Sequence, residues 1–210
     1  MMELFHTLIG YIRNPGELIA MGGFWGLVLI IFLETGALVF FLPGDSLLVV
    51  AGLYAAKGDL SIGMLQLLAL PAILGDATSY VIGKQMGQLL FTKAESRFFK
   101  PQYLLKARDF YEKHGGKAII IARFMPIVRT FVPVVAGAAK MTYGKFASFN
   151  VIGGIAWVTS MTLIGYLLGN VVPNIDKHIE KVIVVVVFIS IAPGLWEWWK
   201  AKRVSGAAQG

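Results

Sequence analysis

The chain contains four apolar stretches, each close to the length of a membrane-spanning helix. They cover residues 23–42, 62–83, 146–169 and 182–199. A helix needs about 20 predominantly apolar residues to cross about 30 Å of hydrocarbon. Charged residues make up 15% of the chain, against about 25% in an ordinary soluble domain. We therefore predict an all-α polytopic membrane protein, folded as a single membrane domain over residues 1–210.

The residue types exclude several kinds of chemistry. The chain has no cysteine, which rules out disulfides, thiolate catalysis and cysteine-ligated metals. Its histidines, His6, His114 and His178, lie outside the apolar stretches, and we interpret them as interfacial side chains rather than metal ligands. No glycine-rich phosphate loop ending in Lys-Ser or Lys-Thr is present. We expect no enzymatic activity, no metal and no cofactor.

The net charge of +7 is unevenly distributed. Lys and Arg are concentrated in residues 84–117 and in residues 200–203 at the end of the chain. In membrane proteins such clusters mark the cytoplasmic side, so we interpret them as determinants of orientation and expect no nucleic-acid partner. A cytoplasmic C-terminus then requires that 62–83 and 146–169 cross the membrane in opposite directions, with "KGDLS" (57–61) outside.

Two pairs of short sequences recur in the same order. "FLPGDSLLVVAG" (41–52) and "FMPIVRTFVPVVAG" (124–137) share F-x-P at the start and V-V-A-G at the end. "VIGKQMG" (81–87) is echoed by "LIGYLLG" (163–169). The offsets are 83 residues at the proline, 85 at V-V-A-G and 82 at the paired glycines. This agreement favours an internal repeat.

We predict repeat one at about residues 23–90 and repeat two at about residues 117–170. Helix-breaking residues stand in both repeats: Pro43 and Gly44 in the first, Pro126 and Pro133 in the second. Each break would form a re-entrant helical hairpin that leaves the membrane on the side it entered. The first would enter from outside and the second from the cytoplasm, so the repeat would be inverted. Inverted repeats with broken helices are typical of transport sites near the bilayer midplane.

Two further segments complete the predicted architecture. Residues 101–115 place apolar and aromatic side chains at helical spacing, which indicates a short amphipathic helix on the cytoplasmic surface. Residues 181–200 would form a C-terminal transmembrane helix. Small residues recur every fourth position at Gly75, Ser79, Gly83 and Gly87, a spacing that allows membrane helices to approach closely.

Among the charged residues within or beside the apolar segments are Glu34, Asp45, Asp76, Arg123 and Arg129. Each charge costs about 2.5–3.5 kcal/mol at the bilayer centre when it is unpaired and dry. The residues should therefore be paired or hydrated. One interpretation is that two acids of the first repeat and two arginines of the second form ion pairs that only hold the hairpins together. The other is a hydrated cavity, in which the arginines bind an anionic head group.

In the functional interpretation Arg123 and Arg129 bind a phosphate, while Glu34 and Asp45 take up and release protons. Burial and a neighbouring arginine act in opposite directions on a carboxylate's affinity for a proton, so protonation could depend on the occupant. We expect Asp76 to be a packing or gating residue. The residues at the breaks, Pro43, Gly44 and Pro126, are assigned to the same class.

The motifs resemble those of the DedA family of bacterial inner-membrane proteins. They are E-x(8)-P-G-D-S, G-D-x(3)-Y-x(2)-G-K-x(2)-G, R-F-x-P-x-V-R-T and F-x(2)-F-N-x(2)-G-x(3)-W, in order between about residues 23 and 170. The resemblance implies an inner-membrane location, a role in envelope homeostasis, dependence on the proton motive force, and movement of lipids such as undecaprenyl phosphate or a phospholipid. It also implies that two acids and two arginines are required, which map onto Glu34, Asp45, Arg123 and Arg129.

The sequence therefore predicts a transporter that moves a lipid phosphate across the membrane, with an anionic lipid and protons as its partners. A homo-oligomer is compatible with this. Two alternatives stay open: a proton-coupled exporter of cations or small solutes, and a non-transporting assembly factor for other membrane proteins.

Overall fold

The computed structural model describes residues 15–36, 44–92 and 116–171, and these ranges contain helices and no strand. The helices are α1 (Pro15–Gly36), α2 (Gly44–Lys57), α3 (Ile62–Leu65), α4 (Ala69–Thr92), α5 (Lys117–Arg123), α6 (Pro126–Ala138) and α7 (Tyr143–Val171). A 3-10 turn, Gln66–Leu68, joins α3 to α4. The predicted amphipathic helix 101–115, the C-terminal helix 181–200 and Pro43 lie outside the described residues.

Two helical segments in the described part of the chain are long and apolar enough to cross a membrane, Ile62–Met86 and Tyr143–Val171. They correspond to the predicted stretches 62–83 and 146–169. The two segments pack antiparallel, because successive residues of the first segment contact residues of the second in reverse sequence order. These contacts are Gln66 with Thr162, Ile73 with Asn150 and Tyr80 with Phe146.

The first apolar stretch is helical up to Gly36, where the described part of α1 ends. Within α1 the backbone is non-helical at Gly23, whose φ is 52°. This left-handed conformation is one that glycine adopts without steric cost. The helix from Gly22 to Gly36 is apolar but shorter than an ordinary span.

Glycines allow the closest helix contacts, and two of these crossings use equivalent positions of the sequence repeat. Between α2 and α7, a Cβ on Gly52 would collide with the Thr162 carbonyl, and one on Gly165 with the Val49 carbonyl. Between α6 and α4, a Cβ on Gly137 would collide with the Tyr80 carbonyl, and one on Gly83 with the Val134 carbonyl. The second set follows from the first by the same offsets of 85 and 82 residues that relate the repeated sequences.

The second predicted break lies between α5 and α6, at Phe124 and Met125, immediately before Pro126. Proline at the start of a helix is favourable because its missing N–H has no intrahelical partner there. The prediction that Pro133 also breaks the helix was wrong, since α6 continues through it to Ala138. Membrane helices tolerate interior proline where neighbouring groups satisfy the released backbone, and Pro133 is itself buried in the packed interior.

Two apolar clusters of buried side chains lie on either side of a polar layer. The larger cluster includes Ala72 of α4 and Trp157 of α7. The smaller one includes Tyr80 of α4 and Phe146 of α7. Asp76 of α4 and Asn150 of α7 fall between these positions, and both are buried. This places a polar layer within the middle of the helical bundle.

Candidate functional site

Arg129, near the start of α6, binds two carboxylates from two different helices. Its Nη1 donates a hydrogen bond of 2.6 Å to Asp45 Oδ1 at the start of α2. Its Nη2 donates to Glu34 Oε1, near the end of α1. All three side chains are buried, and Glu34 is only 1% exposed. One guanidinium of the predicted second repeat therefore joins both predicted proton-coupling acids of the predicted first repeat.

Arg123, the last residue of α5, has a different set of partners. Its Nη1 donates to Asp76 Oδ2 of α4 and to Asn150 Oδ1 of α7, each at 2.6 Å. The Asn150 amide is oriented by its own nitrogen, which donates to the Ile73 carbonyl at 3.0 Å. A charged acceptor and a neutral acceptor thus share a single nitrogen of Arg123.

Trp157 of α7 lies between the two arginines. Its indole Nε1 donates a hydrogen bond of 2.8 Å to Asp45 Oδ1, the oxygen that also accepts from Arg129. The Arg129 guanidinium carbon lies 4.7 Å from the Trp157 ring centroid, and that of Arg123 lies 5.8 Å away. Both distances fall within the range of cation–π attraction. The indole therefore links the two ionic groups into one site.

Two glycines of the site lack a side chain where neighbouring side chains come close. Gly44 is the first residue of α2, and a Cβ there would collide with the Glu34 carboxylate. Gly154 of α7 faces the other arginine, since a Cβ there would lie 3.5 Å from Arg123 Cζ and 2.7 Å from Ile73 Cγ1. The position of the Glu34 carboxylate therefore depends on glycine at position 44, whereas glycine at position 154 makes room for Ile73 beside Arg123.

Four buried polar atoms of the site have no hydrogen-bond partner among the described residues. They are Arg123 Nε, Arg123 Nη2, Arg129 Nε and Glu34 Oε2. The Nε and Nη2 atoms of Arg123 form one edge of its guanidinium, the geometry that binds two oxygens of a carboxylate or phosphate at once. Leaving such donors buried and unsatisfied costs free energy. The site can therefore accept oxygens from an anion.

The structure brings together the five charged residues that the sequence singled out. Arg129 contacts Glu34 and Asp45, while Arg123 contacts Asp76 instead of either of those acids. The functional roles assigned to these residues stay predictions. Of the residues at the breaks, Gly44 packs against Glu34, and Pro126 begins α6.

Two residues of the site, Asn150 and Trp157, belong to the F-x(2)-F-N-x(2)-G-x(3)-W motif, but no role was predicted for either of them. Both lie in the apolar stretch 146–169, where an amide is costly unless it finds a partner. That cost was the available signal for Asn150. Trp157 gave no comparable signal, because a tryptophan in an apolar helix also packs in a core. Within the described ranges, no group of three or more histidine or acidic residues could hold a metal ion.

Comparison with known proteins identifies the family. The model of the VTT domain matches residues 42–167. The chain is 45% identical to "Protein DedA" of Escherichia coli (strain K12), with 99% of both chains covered. It is 46% identical to an uncharacterised membrane protein of Mycobacterium tuberculosis (strain H37Rv), over 81% of this chain and 76% of that protein.

A more distant relative is the inner membrane protein YqjA of Escherichia coli (strain K12), which is 35% identical with 84% of both chains covered. No solved structure matches the chain. The matched region contains α2 to α6 and most of α7, and with them every site residue except Glu34. The chain is a membrane protein and belongs to the DedA family, whose members carry the VTT domain.

Proposed function

We propose that the protein translocates a lipid phosphate across the inner membrane together with protons. The observation that carries this proposal is the buried edge of Arg123, whose Nε and Nη2 have no partner among the described residues. Arg123 is 3% exposed, so bulk water contributes little to satisfying those donors. A phosphate would supply the missing acceptors, and its acyl or prenyl tail would remain in the lipid.

The position of the site supports transport. Asp76 lies two residues from the midpoint of the helical segment Ile62–Met86, and Trp157 lies at the midpoint of Tyr143–Val171. If these segments cross the bilayer, the site is near its midplane, where transporter sites are found. Ionisable residues at that depth are costly and generally mark a pathway.

The equivalent glycine crossings support an inverted repeat of two re-entrant hairpins. Helix α2 runs parallel to α7, since Asp45 contacts Trp157 and Ala56 faces Gly169 further along both helices. The segments Ile62–Met86 and Tyr143–Val171 are antiparallel. If the α6–α4 crossing repeats the α2–α7 crossing, then α2 and α6 enter the site in opposite directions. That arrangement suits alternating access from the two sides.

The charge of the site supports proton coupling. It contains three carboxylates and two guanidiniums, so it carries one net negative charge when every group is ionised. Adding a phosphate increases that negative charge in a region of low dielectric, which favours proton uptake. We propose that Glu34 and Asp45 accept protons when the lipid binds and release them on the opposite side.

The test is a flipping assay in phosphatidylcholine vesicles that contain the purified protein and a trace of fluorescent phosphatidic acid. Dithionite bleaches the outer leaflet, so the rate of further bleaching reports flipping. We expect the rate to rise when a proton gradient is imposed. Arg123→Lys keeps the charge but loses the two-donor edge, and we expect at least about tenfold slower flipping, since a hydrogen bond to a charged group contributes about 1.5–3 kcal/mol.

We also expect slower flipping by Arg129→Lys, because lysine cannot bridge Glu34 and Asp45 as the planar guanidinium does. The matched control is Lys145→Arg, an exchange of cations at an exposed position, which should flip lipid at the normal rate. Undiminished flipping by both arginine variants would contradict a role for the guanidinium edges. Equal bleaching in vesicles with and without protein would reject the function itself.

The excess of carboxylates favours one alternative, a proton-coupled exporter of cations. The same vesicles discriminate between the two functions when they are loaded with a dye that reports monovalent cations. Cation flux driven by a proton gradient, without bleaching of the labelled lipid, would establish the exporter.

A further inference from the structure

Asp76 and Asn150 both accept a hydrogen bond from the same nitrogen of Arg123, but only Asp76 can carry a negative charge. Each accepts a hydrogen bond of 2.6 Å from Nη1. Asp76 can lose its negative charge by protonation, whereas Asn150 is neutral at every pH. Asn150 is also held in place by the Ile73 carbonyl. Arg123 therefore keeps one fixed acceptor whatever the protonation state of Asp76.

We propose that Asp76 is an internal counter-anion of Arg123 in the empty site and is neutralised by a proton when a phosphate binds to the free edge of the same guanidinium. The inference rests on the proposed function and adds a third proton-accepting group to it. The occupied nitrogen and the unpartnered edge belong to the same guanidinium. An incoming phosphate on that edge and the Asp76 carboxylate would compete for a single positive charge.

The groups around Asp76 favour this exchange. Arg123 of α5 is its direct ion-pair partner, and Arg129 of α6 acts on it from further away. The acids Glu34 of α1 and Asp45 of α2 are bound to Arg129, so they already neutralise that second cation. Asn150 of α7 adds no charge. When a phosphate binds to Arg123, Asp76 thus faces an added anion and no spare cation.

The sign of the pH dependence follows from this competition. A proton is taken up when the phosphate binds, so binding strengthens as the pH falls. Where one full proton is taken up for each phosphate bound, the Kd for phosphate increases about tenfold for each unit of rising pH. The Asp76→Asn variant keeps an oxygen that can accept from Nη1 but carries no charge. We expect it to bind phosphate more tightly than the unmodified protein at high pH and to take up one proton fewer.

The experiment is calorimetric titration of the full-length protein in detergent, over a series of pH values, with the protons taken up measured in weakly buffered solution. Farnesyl phosphate is one probe and inorganic phosphate is the other. We expect both to show the same pH dependence, since the competition is at the phosphate, while the prenyl tail changes only the absolute affinity. An Asp76→Asn variant with an unchanged pH slope and unchanged proton uptake would overturn the inference.

Exchanging the two acceptors provides the sharper test. Asn150→Asp should weaken phosphate binding and increase proton uptake, because it adds a second carboxylate on Nη1. The double variant Asp76→Asn, Asn150→Asp returns one carboxylate and one amide to that nitrogen, and it should regain the pH dependence that Asp76→Asn loses. If Asp76→Asn does not elute as a folded protein, Asn150→Asp alone decides, and an unchanged Kd for that variant would refute the proposal.

Arg123→Gln separates this inference from the proposed function. Farnesyl phosphate binding that survives Arg123→Gln would contradict the phosphate site itself, and with it the counter-anion. The other outcome is that Arg123→Gln loses farnesyl phosphate binding while Asp76→Asn binds it with the normal pH slope. That result would leave the phosphate site in place and remove only the role of Asp76.

Discussion

At the scale of single residues, the two arginines of the site are not equivalent. Both terminal nitrogens of Arg129 donate hydrogen bonds to carboxylates. Arg123 donates to Asp76 and Asn150 through one nitrogen, and its Nε and Nη2 have no partner in the described part of the chain. A guanidinium already bound to two acids has little charge left to offer an anion. Arg123 is therefore the better candidate for the phosphate, and Arg129 for the link to the protonatable acids.

Gly44→Ala tests whether the position of the Glu34 carboxylate matters for transport. The added Cβ would occupy the space of that carboxylate, so Glu34 must move away from Arg129. We expect slower lipid flipping and a loss of about 1–3 kcal/mol of stability, as is typical of overpacking. Flipping rates in vesicles and unfolding in mixed micelles measure the two effects.

Gly63→Ala is the matched control, since the nearest atom to its added Cβ is Ser61 Oγ at 3.7 Å. We expect this variant to flip lipid and unfold like the unmodified protein. A Gly44→Ala variant with normal flipping would show that transport tolerates a displaced Glu34.

At the scale of helices, glycines bring the backbones of neighbouring helices into contact at two crossings. The α2–α7 and α6–α4 crossings each place a glycine from both helices against a backbone carbonyl. Without a hydrophobic driving force between helices in lipid, such close packing supplies much of the attraction. The crossings also help to position Asp45 and Arg129 in the site. Asp45 precedes the crossing glycine in α2, and Arg129 precedes the crossing glycine in α6.

Gly52→Ala and Gly137→Ala test the equivalence of the two crossings. Each added methyl would meet a backbone carbonyl, of Thr162 or of Tyr80, which cannot rotate away. We expect both variants to lose about 1–3 kcal/mol of stability, and by similar amounts, in an unfolding titration in mixed micelles. Gly144→Ala, where nothing lies within 4 Å of the added Cβ, should be neutral or more stable by up to about 1 kcal/mol. A large loss at one crossing and none at the other would contradict their equivalence.

The helices were more predictable from the sequence than their contacts. Hydropathy and length identify the segments Ile62–Met86 and Tyr143–Val171, because the cost of exposing polar backbone to lipid leaves few alternatives. The same cost predicts that buried charges find partners. It does not say which partner, and the pairing of Arg123 with Asp76 depends on how α4, α5 and α7 rotate about their axes. Pro133 was mispredicted for a related reason, since local helix-breaking is overridden by tertiary packing.

At the scale of the whole molecule, the ionic site is where six of the described helices meet. Glu34 comes from α1, Asp45 from α2, Asp76 from α4, Arg123 from α5, Arg129 from α6, and Asn150 with Trp157 from α7. Such a network could serve stability alone. Buried ion pairs are weak evidence for that role, because well-packed apolar replacements are often as stable. Stability and transport must therefore be separated by experiment.

Replacing the Arg129 network as a unit makes that separation. Arg129→Met alone leaves Glu34 and Asp45 buried without their cation and should cost about 3–5 kcal/mol of stability. Combining it with Glu34→Gln and Asp45→Asn removes the uncompensated charges while nearly preserving volume, and the amide introduced by Asp45→Asn keeps an oxygen for the Trp157 indole. We expect the triple variant to recover most of the lost stability in mixed micelles yet to flip no lipid. If it flips lipid at the normal rate, these ion pairs only hold the helices together, because proton coupling through Glu34 and Asp45 cannot work after both have lost the ability to ionise.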